Sequence, residues 1–204
     1  MPDNCGIDES QLKKKQYLVL LTLPESVKGL IQPLVRELEK KYCFKNMKPV
    51  YHSHITLLAG HHFAGYRNEI VKKLKILTRE TSPFLVEING FLEWQHFICL
   101  KVESGRGSVN ILAGQNQKLP SAVLRHPRYT RIPHITLLRD LKRDEAELIG
   151  RECRQITFSC SFTASSIILL ERDYLSQQPY QLIEKIPFSA QSARYGKQIS
   201  IFDS

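Results

Sequence analysis

The 204-residue sequence holds no apolar run approaching the roughly 20 residues that span a bilayer. Its first 15 residues are polar and charged, without the apolar core of a secretory signal. Both absences predict a protein with no membrane association, cytoplasmic or alternatively nuclear. Cysteine is sparse and odd in number: five residues with no Cys-x-x-Cys spacing. That pattern suggests neither a disulfide framework nor a zinc ribbon, and Cys99, inside an apolar run, reads as a buried side chain. Acidic residues are also short, 20 against 29 Lys and Arg, for a formal net charge of +9. The excess gathers at 13–15, 40–41, 72–73 and 125–131. Such a balance favours polyanions such as nucleic acid or phosphate-bearing ligands, against the plainer reading of a solvated basic surface.

What is present is a repeat. His54-Ile55-Thr56-Leu57-Leu58 recurs as His134-Ile135-Thr136-Leu137-Leu138, an offset of 134 − 54 = 80 residues. The run is apolar and β-branched, so each copy reads as a buried strand. Side chains alternate along a strand, so His and Thr share one face while Ile55, Leu57, Ile135 and Leu137 point into a core. Each copy presents an imidazole and a hydroxyl side by side. The same offset aligns Tyr17-Leu18-Val19-Leu20 with Phe97-Ile98-Cys99-Leu100, and 84–94 with 164–174.

Around these motifs the pattern predicts a strand at 16–23 and a helix from about 25 to 41 that Pro33 kinks or divides. A loop opens at Lys48. The first motif strand is expected over 54–59, followed by a turn at 60–65 with His61 and His62, like His52, at the surface. A basic helix follows at 66–81, then strands at 84–94 and 95–103 with Gly90 at a bulge. A helix at 108–119 and a basic loop at 120–131 lead to the second motif strand, 134–138. A helix at 143–153 and strands at 157–163, 166–172 and 180–188 complete the chain. Each half reads strand–helix–strand–helix–strand. The expected fold is α+β: a duplicated, two-lobed, pseudo-twofold unit. Antiparallel sheets flank a central cleft and helices lie outside. Residues 1–15 form a flexible lead-in, 16–188 the folded unit with halves of about 16–94 and 95–188, and 189–204 a polar tail.

Two imidazoles facing one point can serve as general base and general acid, because histidine titrates near neutrality. Two neighbouring hydroxyls can donate to phosphoryl oxygens where transition-state charge accumulates. No dense carboxylate cluster accompanies either motif, so no two-metal phosphatase site is evident. A cyclic phosphate or ribose-linked phosphodiester suits this equipment, and neither metal nor cofactor is required. His52, His54, His61 and His62 have the imidazole density of a metal site, but no matching Cys or carboxylate set accompanies them.

The paired His-Ile-Thr-Leu motifs resemble the 2H phosphoesterase superfamily, whose signature is two His-hydrophobic-Thr/Ser-hydrophobic tetrads. The segment Ile168-Leu169-Leu170-Glu171-Arg172 through Pro179-Tyr180 is similar to the end of its bacterial RNA 2',3'-cyclic phosphodiesterase (2'-5' RNA ligase-like) branch. The resemblance covers about 16–188. It implies His54 and His134 as the catalytic pair and Thr56 and Thr136 as phosphate holders, in a monomer acting on RNA, oligonucleotide or nucleotide substrates. Hydrolysis of 2',3'-cyclic phosphates is the first reading and cleavage of 2'-5' oligoadenylate the second. A non-catalytic RNA- or nucleotide-binding module is the alternative of another class. Arg131, Arg139 and Arg172 are candidate phosphate contacts, and Tyr129 and Tyr180 candidate base contacts. Tyr17 and Phe97, at equivalent positions, read as core.

Overall fold

The computed structural model describes residues 12–103 and 124–189. The lead-in before Leu12, the helix expected at 108–119 and the tail beyond Ser189 fall outside them. The described elements are β1 (Lys14–Leu21), α1 (Glu25–Lys41), β2 (Lys48–Pro49), β3 (Ile55–Phe63), α2 (Arg67–Arg79), β4 (Phe84–Trp94), β5 (Phe97–Glu103), β6 (Arg125–Tyr129), β7 (His134–Arg139), α3 (Arg143–Cys153), β8 (Ser159–Ala164), β9 (Ser166–Asp173) and β10 (Gln181–Pro187). They build two five-stranded antiparallel sheets, ordered β10-β9-β1-β3-β6 and β2-β7-β5-β4-β8. This is the expected α+β, two-lobed arrangement.

Each sheet has one face in the core. In β1, Tyr17, Val19 and Leu21 are fully buried, and in β9 Ile167, Leu169 and Glu171 alternate inward in the same way. In the second sheet Ile98, Leu100 and Ile135 do so. The helices cover these faces with amphipathic stripes: Ile70 and Leu74 of α2, Ala146, Ile149 and Cys153 of α3. A single hydrophobic cluster joins both sheets and all three described helices.

The sheets do not coincide with the halves of the repeat. β4, from the first half, pairs with β5 and β8 in the second sheet, and β9, its 80-residue counterpart, pairs with β1 in the first. The equivalent triplets β9-β1-β3 and β4-β5-β7 make the two sheets alike. The likeness extends to a defect. The register slips between Val19 and Leu20 opposite β3, leaving Leu57 as the extra residue, and between Ile98 and Cys99 opposite β7, leaving Leu137. A bulge turns two consecutive side chains toward the same side. It explains why Leu57-Leu58 and Leu137-Leu138 are buried as pairs while His and Thr of each motif stay half-exposed.

Several expectations need correction. The helix at 25–41 is continuous: Pro33 sits on its exposed side, while Val27, Ile31, Leu34, Val35 and Leu38 pack on the core and hold the axis across the missing hydrogen bond. The first motif strand does not end at 59 in a turn. β1 offers backbone partners from Leu21 back to Lys14, so β3 runs on to Phe63. His61 and His62 are therefore strand residues, and His62 is buried against Tyr66, its ring 3.8 Å away, with the Phe63 N–H donating to its Nδ1 (2.8 Å). Lys48–Pro49, expected in a loop, pairs as a short strand with β7. Within the expected basic loop, Arg125–Tyr129 is an edge strand on β3. Gly60 permits that approach, because a Cβ there would stand 3.1 Å from the Leu124 Cβ. Gly90 marks the expected bulge, with φ +70° and a register slip between Ile88 and Phe91.

Candidate active site

The two motifs occupy corresponding places in the two sheets. His54 precedes β3 and His134 begins β7. The Nδ1–H of His54 donates to the carbonyl oxygen of His52 at 2.7 Å. The Nδ1–H of His134 donates to the carbonyl of Ile132 at 2.8 Å. A carbonyl oxygen only accepts, so Nδ1 carries a proton in both rings, and Nε2 is the nitrogen left to exchange a proton with a ligand. No hydrogen bond to either Nε2 occurs among the described residues. Burial is the main cause that depresses the pKa of His54. The carbonyl of His52 works against that shift, while the charges of His134 and His52 add to it. The charge of His134 thus acts on His54.

Thr56 and Thr136 are half-buried, and His134 and Thr136, two apart in β7, share a face. Thr56 lies opposite Leu20, and Thr136 lies opposite Cys99, on whose thiol its hydroxyl exerts a lowering pull. Burial nevertheless pushes that thiol up to about 12. Cys99 is thus a buried, inert neighbour of the site, as its sequence context predicts.

The structure distributes the remaining sequence candidates unevenly. Arg131 is exposed at the bend before β7, and Arg139 is exposed at its far end. Tyr129 pairs with buried Leu58 and packs against the core, on the face away from the motif hydroxyls. Arg172 and Tyr180 come together, guanidinium over ring at 4.4 Å, with the Arg172 Nε donating to Gln16 Oε1 at 2.8 Å. Gln16 lies in register with His61 on the same face as Leu18, Leu20 and Thr56. Tyr17 is buried beside the Arg67–Glu171 ion pair, and its hydroxyl is pushed up to about 12 by burial and by that carboxylate. Phe97, read as core, is instead 39% exposed. It ends the β4–β5 hairpin opposite Trp94, where little packs over it.

Trp94 itself escaped the sequence reading. Its indole meets the His134 ring edge-on, with centroids 5.8 Å apart. A lone aromatic at a strand end has no periodicity to betray it, and only the fold of the hairpin shows which face it joins. Among the described residues, no three His, Cys, Asp or Glu side chains converge as a metal-ligand set. A concavity of about 520 Å3 lined by Glu93, Gln95, His96, Arg143 and Glu147 lies beside α3 and includes neither motif. No described helix is long and apolar enough to cross a membrane.

No protein-family model matches the sequence, and no curated protein matches it. Solved structures do match in fold. TT0787 of Thermus thermophilus superposes with TM-score 0.64 at 20% identity, covering 87% of this chain and all of that one (100%). E. coli LigT complexed with 3'-AMP gives 0.60 at 17%, covering 87% and 99%. A structure described as a phosphoesterase gives 0.57 at 18%, covering 87% and 99%. At these identities the likeness is one of fold.

Proposed function

We propose that the chain is a 2H-type phosphodiesterase that hydrolyses nucleoside or RNA 2',3'-cyclic phosphates by two-histidine acid–base catalysis. The observation that carries this reading is the repeated ring geometry. Both imidazoles are pinned through Nδ1 to the carbonyl two residues earlier, leaving both Nε2 atoms available to a reacting group. Two core histidines with structural roles alone would not call for the same tautomer in both copies. That a neighbour in fold, E. coli LigT, is complexed with 3'-AMP adds support for a nucleotide ligand.

In this reading Nε2 of His54, kept neutral by its depressed pKa, takes a proton from water. The water oxygen bonds to phosphorus, and the phosphorus bond to one ribose oxygen breaks. His134, entering the step as the imidazolium with Nδ1–H on the Ile132 carbonyl, gives its Nε2 proton to that leaving oxygen. The Thr56 and Thr136 hydroxyls donate to the non-bridging oxygens as their charge grows. None of these steps calls on a metal. The same pair would cleave a 2'-5' linkage if the base took the proton of the adjacent 3'-hydroxyl, giving a cyclic phosphate.

The test is product analysis by chromatography in the presence of chelator, with nucleoside 2',3'-cyclic phosphate and a 2'-5' adenylate trimer as separate substrates. Wild type should open the cyclic phosphate, and His54→Ala and His134→Ala should each lose that turnover. Cleavage of the trimer alone would transfer the function to 2'-5' linkages. Turnover of neither substrate, or mutants equal to wild type, would overturn the two-histidine reading in favour of a binding module.

A further inference from the structure

The face of the first sheet that carries Thr56 continues away from the motif. Its next rung holds Leu18, Ala59 and Leu170, half-exposed and apolar. Beyond them the register sets four residues in a row across four strands: Arg125, His61, Gln16 and Arg172. Lys14 and Phe63 form the following rung, with Tyr174 beside Lys14. From Leu20, opposite Thr56, to Gln16 is four strand residues, about 13 Å.

This end of the sheet gathers cations that aromatic rings hold. Among the described residues some cations, such as Lys15, Arg67 and Arg154, meet a carboxylate, and others, such as the exposed Lys40, Lys72 and Arg79, do not. Lys14, Arg125 and Arg172 meet none among the described residues. Aromatic rings hold them instead: Lys14 lies 3.8 Å over Tyr174, Arg125 5.2 Å over Phe63 and Arg172 4.4 Å over Tyr180. The His61 ring packs between those of His126 (5.3 Å) and Tyr174 (5.0 Å). Burial, then the charges of Lys14, His126 and Arg125, hold its pKa down. Three positioned cations on one sheet face, with no described carboxylate to neutralise them, are arranged for an external anion.

We infer that this row is a second phosphate subsite, which binds a backbone phosphate further along an oligonucleotide whose terminal phosphate lies at Thr56 and Thr136. The inference rests on the proposed phosphodiesterase reading. It adds that the preferred substrate is an oligomer, with the apolar rung of Leu18, Ala59 and Leu170 beneath the nucleosides between the two phosphates.

The test reads binding, not turnover. A fluorescein-labelled tetraadenylate with a terminal 3'-phosphate is titrated with the full chain, followed by anisotropy over a series of salt concentrations. Lys14→Gln/Arg125→Gln/Arg172→Gln should bind at least tenfold more weakly than wild type at low salt. Its log–log salt slope should be shallower by about 0.7, as the loss of one neutralised single-strand phosphate requires. A control with the same charge change elsewhere, Lys40→Gln/Lys72→Gln/Arg79→Gln on exposed helix positions, should keep both affinity and slope. Lys14→Gln alone, at an exposed position, guards against misfolding of the triple variant and should weaken binding at low salt in the same direction by a smaller factor. Equal affinity and slope in wild type and triple variant would overturn the subsite. So would equal losses in triple variant and control, which would mean diffuse attraction to net charge. Oligomer bound through this row but never turned over would sink the catalytic reading and leave the subsite standing.

Discussion

Replacing His54 by Asn separates the two nitrogens of its ring. The Asn amide nitrogen falls near the place of Nδ1 and can still donate to the His52 carbonyl, now bonded at 2.7 Å. Nothing occupies the place of Nε2. A structural histidine would therefore be replaced almost without loss, since the hydrogen bond worth about 1 kcal/mol survives. A catalytic base would be removed outright. The loss should be roughly 10²- to 10⁴-fold in kcat, the contribution of one general base, or about 3–5 kcal/mol of barrier. The assay pairs chromatographic initial rates on a nucleoside 2',3'-cyclic phosphate with urea unfolding. The expected result is unfolding free energy within about 1 kcal/mol of wild type and activity down at least 100-fold. His54→Asn/His134→Asn should be little worse than either single variant, because base and acid serve one step. Activity of His54→Asn within tenfold of wild type would refute the assignment of the base to Nε2.

Because burial and the nearby His134 charge lower its pKa, His54 should stay neutral below the ordinary histidine value of about 6.5. Activity should then persist as pH falls through that value and decline only near the lower pKa, and NMR titration of His54 in His134→Ala should show it moving up. An unchanged or lower value would contradict the shared site. Arg67→Met strands the Glu171 carboxylate, 3% exposed, with its ion-pair partner gone. The cost should be about 3 kcal/mol, the low end for a broken buried pair because Arg67 is itself 42% exposed, or about 6–12 °C in Tm. A loss under about 1 kcal/mol would mean that water reaches Glu171. The chain has one tryptophan, and it touches His134, so its fluorescence should change saturably with a nucleoside 3'-phosphate. A constant signal while calorimetry records binding would place the ligand elsewhere.

How much was legible in advance depended on the range of the interaction. The repeat and its strand character follow from residue type and two-residue alternation; residues 55–58 and 134–138 are strands, while His54 stands one residue before its strand. Helix 143–153 was readable to the residue, because its apolar spacing and acidic first turn are local. The continuation of β3 through His61 and His62, and the strand at Arg125–Tyr129, were not readable. Histidine and arginine have no marked strand preference, and only the backbone partners offered by β1 and β3 make those segments strands. Pro33 misled for the same reason, since a local break was outweighed by a buried face along the whole of α1.

By itself, then, the sequence determined which side chains can do chemistry and how they sit relative to their nearest neighbours in the chain. Tertiary structure decided the rest. It exchanged β4 and β9 between the sheets and set the carbonyls of His52 and Ile132 against the imidazoles, which selects the tautomer. It also laid Trp94 on His134 and drew Lys14, Arg125 and Arg172 onto one face from three distant parts of the chain. The physical reason is register. Alternation along one strand is a property of the strand, but which residues stand side by side across a sheet depends on pairings tens to more than a hundred residues apart.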